Sequence, residues 1–316
     1  MRRPDGVLLF LILMGMMSFG QISPSNQTVS SSIEKLVKRA EKGDLSAQIK
    51  LAEAYSRGIG VIRNDVEAIF WLQKASDRGD PAAQNDLGYM YAEGRGIERD
   101  QAMALKWFLR AAAENFAPAQ TNAAVMFASG NGTRTDDKAA FDWYSRAAKQ
   151  NYAPAVAGLA RLYLHGSGVA EDDAMAFKLN LKAAEKGFVT AQENLAWMFS
   201  NGRGTSRNLT EALKWNQKAA ANGSPVAENN LGFLYEHGGD GLMPNLGEAV
   251  RWYRKAVTDG LAAAEYNLAV LFKEGRGVPL DPVESERLYA AAEAHGFRSS
   301  AIQQESVQAA SVKGRP

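Results

Sequence analysis

Histidine is the first residue type to consider for chemistry, because the 316-residue chain has three histidines and no cysteine. His165 and His237 occupy the same position of an internal 36-residue repeat, two copies apart. Packed helices lie about 8–10 Å apart, so we expect about 20 Å between these side chains, whereas the ligands of one zinc ion lie about 2 Å from it. The sequence therefore predicts surface histidines and no metal site. The absence of cysteine excludes disulfides, cysteine-ligated zinc and a cysteine nucleophile.

Catalytic motifs are equally sparse. No HExxH, GxSxG or GxxxxGK[ST] pattern occurs, and the Gly-x-Gly pairs follow predicted helices rather than strands, which excludes a dinucleotide-binding turn. Ser32 and Lys35 have the SxxK spacing of an acylating serine and its lysine, but no Ser-Asp-Asn or Lys-Thr-Gly motif accompanies them. We interpret Ser32 as part of a first helical turn. The sequence predicts no catalytic residue and no cofactor.

The N-terminus has the pattern of a targeting segment. Arg2 and Arg3 precede an apolar run over residues 7–17, and residues 18–20 are Ser-Phe-Gly. An apolar run of this length is too short to span a bilayer but fits a signal peptide. We predict cleavage before Gln21 and a periplasmic or secreted protein without a membrane span after signal removal.

The net charge argues against a nucleic-acid partner. The chain has 36 basic and 35 acidic residues, a formal charge of +1. Removing residues 1–20 takes away two arginines and Asp5, which leaves 34 of each sign. A nucleic-acid binder commonly carries a basic patch and a clear positive excess.

The elements that position these residues come from one unit repeated seven times. We call a position that holds the same kind of residue in all copies a column. The first helix of the unit, helix A, carries three columns spaced by four residues, which places them on one face of the helix. The first column is alanine at every copy: Ala47, Ala83, Ala119, Ala155, Ala191, Ala227 and Ala264. The second is apolar: Leu51, Leu87, Ala123, Leu159, Leu195, Leu231 and Leu268. The third is aromatic: Tyr55, Tyr91, Phe127, Tyr163, Phe199, Tyr235 and Phe272.

A glycine follows helix A in every copy and predicts its end in a left-handed residue. Helix B then begins at a polar N-cap column: Asn64, Asp100, Asp136, Asp172, Asn208, Asn245 and Asp281. Four copies add a glutamate three residues later, which resembles a capping box. Helix B alternates small columns with a bulky one: Trp71, Trp107, Trp143, Leu179, Trp215, Trp252 and Leu288.

Stacked helix pairs can bury these faces where a single pair cannot. We therefore predict an all-α fold, an α/α solenoid forming a right-handed superhelix. The predicted organisation is a signal peptide (1–20), a polar linker (21–30), an N-terminal capping helix (31–46), the repeats (47–299) and a C-terminal capping helix with a tail (300–316). The repeats are expected at 47–82, 83–118, 119–154, 155–190, 191–226, 227–263 and 264–299.

The unit Ala-Gln-Asn-Asp-Leu-Gly-Tyr-Met-Tyr-Ala-Glu-Gly-Arg-Gly (83–96), followed by residues 100–113, resembles a Sel1-like repeat, a relative of the tetratricopeptide repeat. The resemblance covers about residues 33–299. It implies a non-catalytic protein–protein interaction scaffold. Some exported members of that family carry a disulfide in each repeat and are associated with penicillin binding or hydrolysis; this chain has no cysteine, so that activity is not carried over.

The positions that the repeat does not conserve are the candidate site. In tetratricopeptide-like solenoids helix A lines the concave surface, so residues between its core positions are expected to point into a groove. We predict a partner-binding groove that takes a protein or an extended peptide, because aromatic side chains supply contact area and amides can pair with a partner backbone. The predicted groove residues are Tyr89, Arg161, Asn194, Trp197, Asn230, Phe233, Tyr266 and Asn267. The alternative is that the aromatic rings pack between A helices and that the asparagines are structural.

Two other hypotheses remain from the sequence. A β-lactamase-like or penicillin-binding enzyme would depend on Ser32. An adaptor of the eukaryotic secretory pathway would be glycosylated at Asn26 or Asn131. We favour the non-catalytic scaffold, expected to be a monomer.

Overall fold

The computed structural model describes residues 24–297, which form helices and no strand apart from one bridge between Gly239 and Leu242. The helices are α1 (Pro24–Glu41), α2 (Leu45–Arg57), α3 (Asp65–Asp77), α4 (Pro81–Glu93), α5 (Gln101–Ala113), α6 (Ala117–Ser129), α7 (Asp137–Lys149), α8 (Ala153–His165), α9 (Asp173–Ala184), α10 (Val189–Asn201), α11 (Leu209–Ala221), α12 (Pro225–His237), α13 (Leu246–Thr258), α14 (Ala262–Glu274) and α15 (Pro282–Ala294). The even-numbered helices are the A helices, and α3 to α15 with odd numbers are the B helices. The predicted all-α solenoid is confirmed.

The helices stack in chain order. Each A helix packs against the B helix of its own copy and against the helix before it. Helix α6 also contacts α4 and α8, and within residues 24–297 no two B helices approach each other as closely. The A helices therefore line the inner side of a curved stack.

The loop between the two helices of a copy is closed by backbone hydrogen bonds. Gly94 ends α4 at a φ of 68°, and the Asp100 carboxylate accepts from the Met103 N–H at 2.8 Å. The Asp100 N–H donates to the carbonyl of Tyr91, at 3.0 Å. All seven copies make this bond from the N-cap to the aromatic column. The predicted capping box is therefore not formed as such, because the N–H that its glutamate would accept from already has a partner.

The predicted core columns are buried. The first alanine column of helix A is 0–1% exposed, and Leu51, Leu87, Leu195 and Leu231 are 0% exposed. Trp71 and Trp215 are buried, while Trp107, Trp143 and Trp252 are half-buried with a cation over each ring. Burying each of these leucine side chains contributes about 1.5–3 kcal/mol.

The second glycine of five of the loops allows neighbouring copies to approach closely. A Cβ on Gly96 would lie 2.6 Å from the carbonyl carbon of Asp65, and one on Gly168 would lie 2.5 Å from that of Asp137. Both glycines have positive φ, at 68° and 71°. These loops thus rest on the first turn of the preceding B helix, and only glycine fits there.

A buried glutamine joins four of the seven A helices to the helix before it, and Val156 takes this position in α8. Gln48 and Gln192 donate to the carbonyls of Ala40 and Ala184 at 3.1 Å. Glu228 and Glu265 occupy this position in the last two copies. There Lys255 Nζ lies 2.8 Å from Glu228, and His295 Nδ1 lies 2.9 Å from Glu265. A contact with a lysine or histidine nitrogen replaces the amide bond in these two copies, since an ionised carboxylate cannot donate.

The N-terminal end of the stack is covered by α1, which packs on α2 and buries Ala40. Helix α1 begins at Pro24, earlier than the sequence pattern predicted, because proline is favoured in a first turn and residues 25–30 contain no glycine or proline. The predicted signal peptide (1–20) and the predicted C-terminal capping helix (300–316) lie outside the described residues.

Candidate partner-binding groove

A row of large side chains projects from the inner face of the A helices. Tyr89, Val125, Trp197 and Phe233 are 47%, 43%, 48% and 45% exposed. Each lies two residues after the buried second column, so it points between core positions. The sequence left open whether these side chains pack or face solvent. Each of these side chains packs one side against the helices and exposes about half of its surface to solvent.

Arg161 occupies the same row in α8 and is exposed. Phe233 stacks on His237 in α12, with the ring centroids 4.1 Å apart. Tyr266 differs from the prediction of an open groove position. It is half-buried, and its ring centroid lies 5.2 Å from those of both Tyr289 and Phe297. It packs between aromatic rings at the end of the stack, which removes most of its surface from the groove.

The predicted asparagines are half-buried and in part structural. Asn194 donates to Asn180 Oδ1 at 3.2 Å, and Asn267 donates to Asn229 Oδ1 at 2.9 Å. Asn230 is half-buried beside them. An amide that donates one N–H keeps a second N–H and a carbonyl oxygen. These side chains therefore hold neighbouring helices together and still present polar atoms at the groove.

The first of two hollows in this face lies between α2 and α4, and we refer to it as the charged pocket. It has a volume of 850 Å³, and its charged lining is Glu53, Arg57, Arg63, Asp86, Glu93 and Arg95. Arg57 lies 3.0 Å from Glu53, and Arg95 lies 2.7 Å from Asp65. The pKa of Asp86 is raised, mainly by desolvation within the concavity, although its side chain is exposed. Cations and carboxylates thus neutralise each other within this pocket.

The second hollow, the Arg161 pocket, lies between α8 and α10 and has a volume of 450 Å³. Its lining includes Tyr144, Gly158, Arg161, Asn194 and Trp197, and it contains no aspartate or glutamate. Gly158 makes room for a ring, because a Cβ there would lie 2.6 Å from Tyr144 Cζ. Burial raises the pKa of Tyr144, and Arg161 beside it opposes that rise.

Sequence reasoning did not identify Tyr144, Gly158 or His165 as parts of one pocket. Tyr144 follows the tryptophan column by one residue, and Gly158 takes a position that is mostly asparagine in other copies. Phe108, Tyr253 and Tyr289 make the Tyr144 position aromatic in three other copies, so the missing side chain at Gly158 is the departure from the repeat that could have located the pocket.

The residues considered for catalysis lie elsewhere. Ser32 and Lys35 are both exposed on α1. His165 and His237 are exposed, in agreement with their predicted surface position. Over residues 24–297, no three histidine, aspartate or glutamate side chains come together as they would around a metal ion. None of the helices in this part of the chain is both long and apolar enough to cross a membrane.

Two solved structures match most of the chain. A Sel1 repeat protein from Oxalobacter formigenes is 31% identical, with a TM-score of 0.67, over 90% of this chain and 82% of that one. A protective antigen of uropathogenic Escherichia coli strains, described as displaying an SLR fold, is 30% identical with a TM-score of 0.69, over 85% of this chain. The match spans 57% of that antigen's length. No curated protein matches the chain.

The family model for the Sel1 repeat matches seven consecutive segments: 45–80, 81–116, 117–152, 153–188, 189–224, 225–261 and 262–297. Each begins two residues before the repeat boundary that the sequence columns suggested, at the start of helix A. Repeats of this kind typically mediate interactions between proteins, and their solenoid is generally a non-enzymatic scaffold. The resemblance noted in the sequence is confirmed, and the chain belongs to the Sel1 repeat family.

Proposed function

We propose that this protein is a non-catalytic scaffold that holds an extended segment of a partner protein along the inner face of its A helices. The observation that carries the proposal is the row of half-exposed side chains at Tyr89, Val125, Trp197 and Phe233. Apolar side chains repeated along one surface, here with Arg161 between Val125 and Trp197, are typical of an interaction site, whereas isolated exposed side chains are not.

The spacing of the row suits an extended chain. Trp197 and Phe233 lie at equivalent positions of neighbouring repeats, and adjacent helices are about 10 Å apart. An extended chain in the polyproline II conformation rises about 3.1 Å per residue with three residues per turn, so every third side chain of a partner can face the next repeat. Half-buried amides such as Asn194 and Asn230 lie in the same surface and can pair with the partner's backbone.

We also propose that the scaffold acts in the periplasm or outside the cell. Arg2, Arg3 and the apolar run over 7–17 support this location. Mass analysis of the protein isolated from its source is expected to find Gln21 as the first residue. A chain that still begins at Met1 would exclude a cleaved signal.

The binding test removes the two aromatic side chains together. We expect Trp197→Ala combined with Phe233→Ala to lose the proteins that wild type retains from an envelope extract of its source. The helical circular dichroism and the Tm should change little, since about half of each ring is already in solvent. Undiminished retention by the folded double variant would contradict the groove.

A matched control is available on the opposite helices. Phe70 is 49% exposed on α3, a B helix, and so exposes an aromatic ring to the same extent outside the groove. Phe70→Ala should retain the same proteins as wild type. Equal losses in both variants would show that exposed aromatic rings bind non-specifically, and would contradict the proposal.

A further inference from the structure

We infer that the Arg161 pocket binds an aspartate or glutamate side chain of the partner segment, with an apolar partner side chain on the neighbouring Trp197. This inference rests on the proposed function and deepens it by naming the chemistry of the partner. It follows from the charge of the pocket, the surroundings of Arg161 and the place of α8 in the stack.

Arg161 has no carboxylate to neutralise it in this pocket. Tyr144, Gly158, His165, Asn194 and Trp197 surround it, and none of them is acidic. Within residues 24–297, no aspartate or glutamate oxygen lies within ion-pair distance of its guanidinium. A guanidinium has five donors arranged to bind a carboxylate with two parallel hydrogen bonds.

The nearest groove positions supply no negative charge, and Glu193, the acidic residue next to Asn194 on α10, accepts a hydrogen bond from Ser224. On α8 itself, the residues one turn before and one turn after Arg161 are Ala157 and His165. At the same position on the flanking A helices are Val125 and Trp197.

The other arginines of this face show the contrast. Arg57 lies 3.0 Å from Glu53 of its own helix. Arg276 lies 2.9 Å from Glu236, whose side chain is only 8% exposed. These cations have internal partners, whereas Arg161 faces the groove, so its counter-charge is expected from the bound segment.

The position of Arg161 favours an internal acidic side chain over a terminal carboxylate. Helix α8 is the fourth of the seven A helices. Tyr89 and Val125 are half-exposed on one side of it, and Trp197 and Phe233 on the other. A segment that covers both sides must continue past Arg161, so the carboxylate cannot be its last group.

The repeat spacing sets the order of partner residues. With about 10 Å between repeats and about 3.1 Å per residue in the polyproline II conformation, an acidic residue at Arg161 places the residue about three positions away at Trp197, on the same face of the segment. A further step of about three residues reaches Phe233. The expected partner pattern is acidic-x-x-apolar-x-x-apolar, in one of the two chain directions.

The test uses random 12-residue peptides displayed on phage and selected on the immobilised protein. Wild type should enrich aspartate or glutamate at one position, with apolar residues about three and six positions away on one side. Arg161→Glu should enrich lysine or arginine at that position instead. A selected peptide should bind Arg161→Glu at least about tenfold more weakly than wild type, and a lysine at its acidic position should restore binding to the variant.

The controls separate charge from folding. Arg99→Glu changes an exposed arginine in the loop between α4 and α5 and should keep the wild-type preference. Arg161→Gln, checked by circular dichroism, should lose the acidic preference without gaining a basic one.

Each other outcome has a separate meaning. Selected peptides that lack an acidic preference, or that keep it on Arg161→Glu, would overturn this inference and leave the groove proposal intact. If no peptide were selected on wild type, both proposals would be wrong.

Discussion

The charged pocket and the Arg161 pocket are built on the same repeat and differ in what they offer a partner. In the charged pocket, Glu53 and Asp86 occupy the positions that in the Arg161 pocket are Arg161 and Asn194. Glu53 and Arg57 neutralise each other in the first, and Arg161 faces an open hollow in the second. The contrast shows that the alanine, leucine and glycine columns build the shared solenoid backbone, which we call the frame. A few residues between these columns determine the chemistry of each pocket.

The largest effect is expected from the frame itself. Gly96→Ala beside the charged pocket and Gly168→Ala beside the Arg161 pocket should each lower the free energy of unfolding by about 2–5 kcal/mol, since a positive φ and a backbone overlap add. Urea unfolding measures the loss. Gly187→Ala is the control: its φ is 83° and no atom lies within 4 Å of the added Cβ, so it should cost only about 1–2 kcal/mol. If only one of Gly96→Ala and Gly168→Ala lowered the free energy of unfolding, the two loops would not have the same structural role.

The next effect compares two residues at the same position of the repeat, Gly158 in α8 and Asp86 in α4. Gly158→Ala forces the Tyr144 ring to move, and the overpacking should exceed the about 1 kcal/mol that alanine adds in helix propensity, for a net loss of about 2 kcal/mol. Asp86→Ala at the equivalent position should change stability by less than about 0.5 kcal/mol, because that side chain is exposed. Thermal unfolding of the two variants side by side decides this. Equal Tm values would show that Tyr144 does not depend on Gly158.

A smaller effect is expected from the ion pair of the charged pocket. Glu53→Gln should change the free energy of unfolding by no more than about 0.5 kcal/mol, because Glu53 and Arg57 are both solvated and adjacent on one helix. A loss well above 1 kcal/mol in urea unfolding would mean that this pair stabilises the fold rather than only balancing charge.

The smallest effect depends on pH. Desolvation raises the pKa of Asp86 above its ordinary value of 3.8, so the folded state prefers the protonated carboxyl. The stability from this preference is fully present below that value and is lost as the pH rises through the folded pKa. Asp86→Asn should therefore raise the Tm at pH 7 and have little effect on it at pH 3. A Tm increase that is the same at both pH values would exclude ionisation as its cause.

Most of the fold could be predicted from the sequence, because a solenoid buries the same positions in every copy. The glycine at the end of helix A and the N-cap of helix B were both confirmed. Only half of the predicted capping box forms: the N-cap side chain accepts from the glutamate N–H, but the N-cap N–H donates to the aromatic column of the preceding helix. That bond joins two backbone atoms and requires no particular side chain, so the sequence does not reveal it.

The candidate site could be predicted in outline only. Trp197 and Phe233 are half-exposed on the inner face, as a groove requires. Tyr266 was expected there too, but it packs on Tyr289 and Phe297. Column position shows which way a side chain points, but whether other rings cover it depends on residues far along the chain.

The sequence by itself determined the helix count per copy, the burial of the repeated columns and the absence of any cysteine chemistry, because these depend on residue types at a fixed period. Only the tertiary structure brought Tyr144, Gly158, Arg161 and Trp197 around one hollow without a carboxylate. The physical reason is that periodicity specifies what a residue does within its own copy. The contents of a pocket between copies depend on side chains from several helices and on the space that their volumes leave.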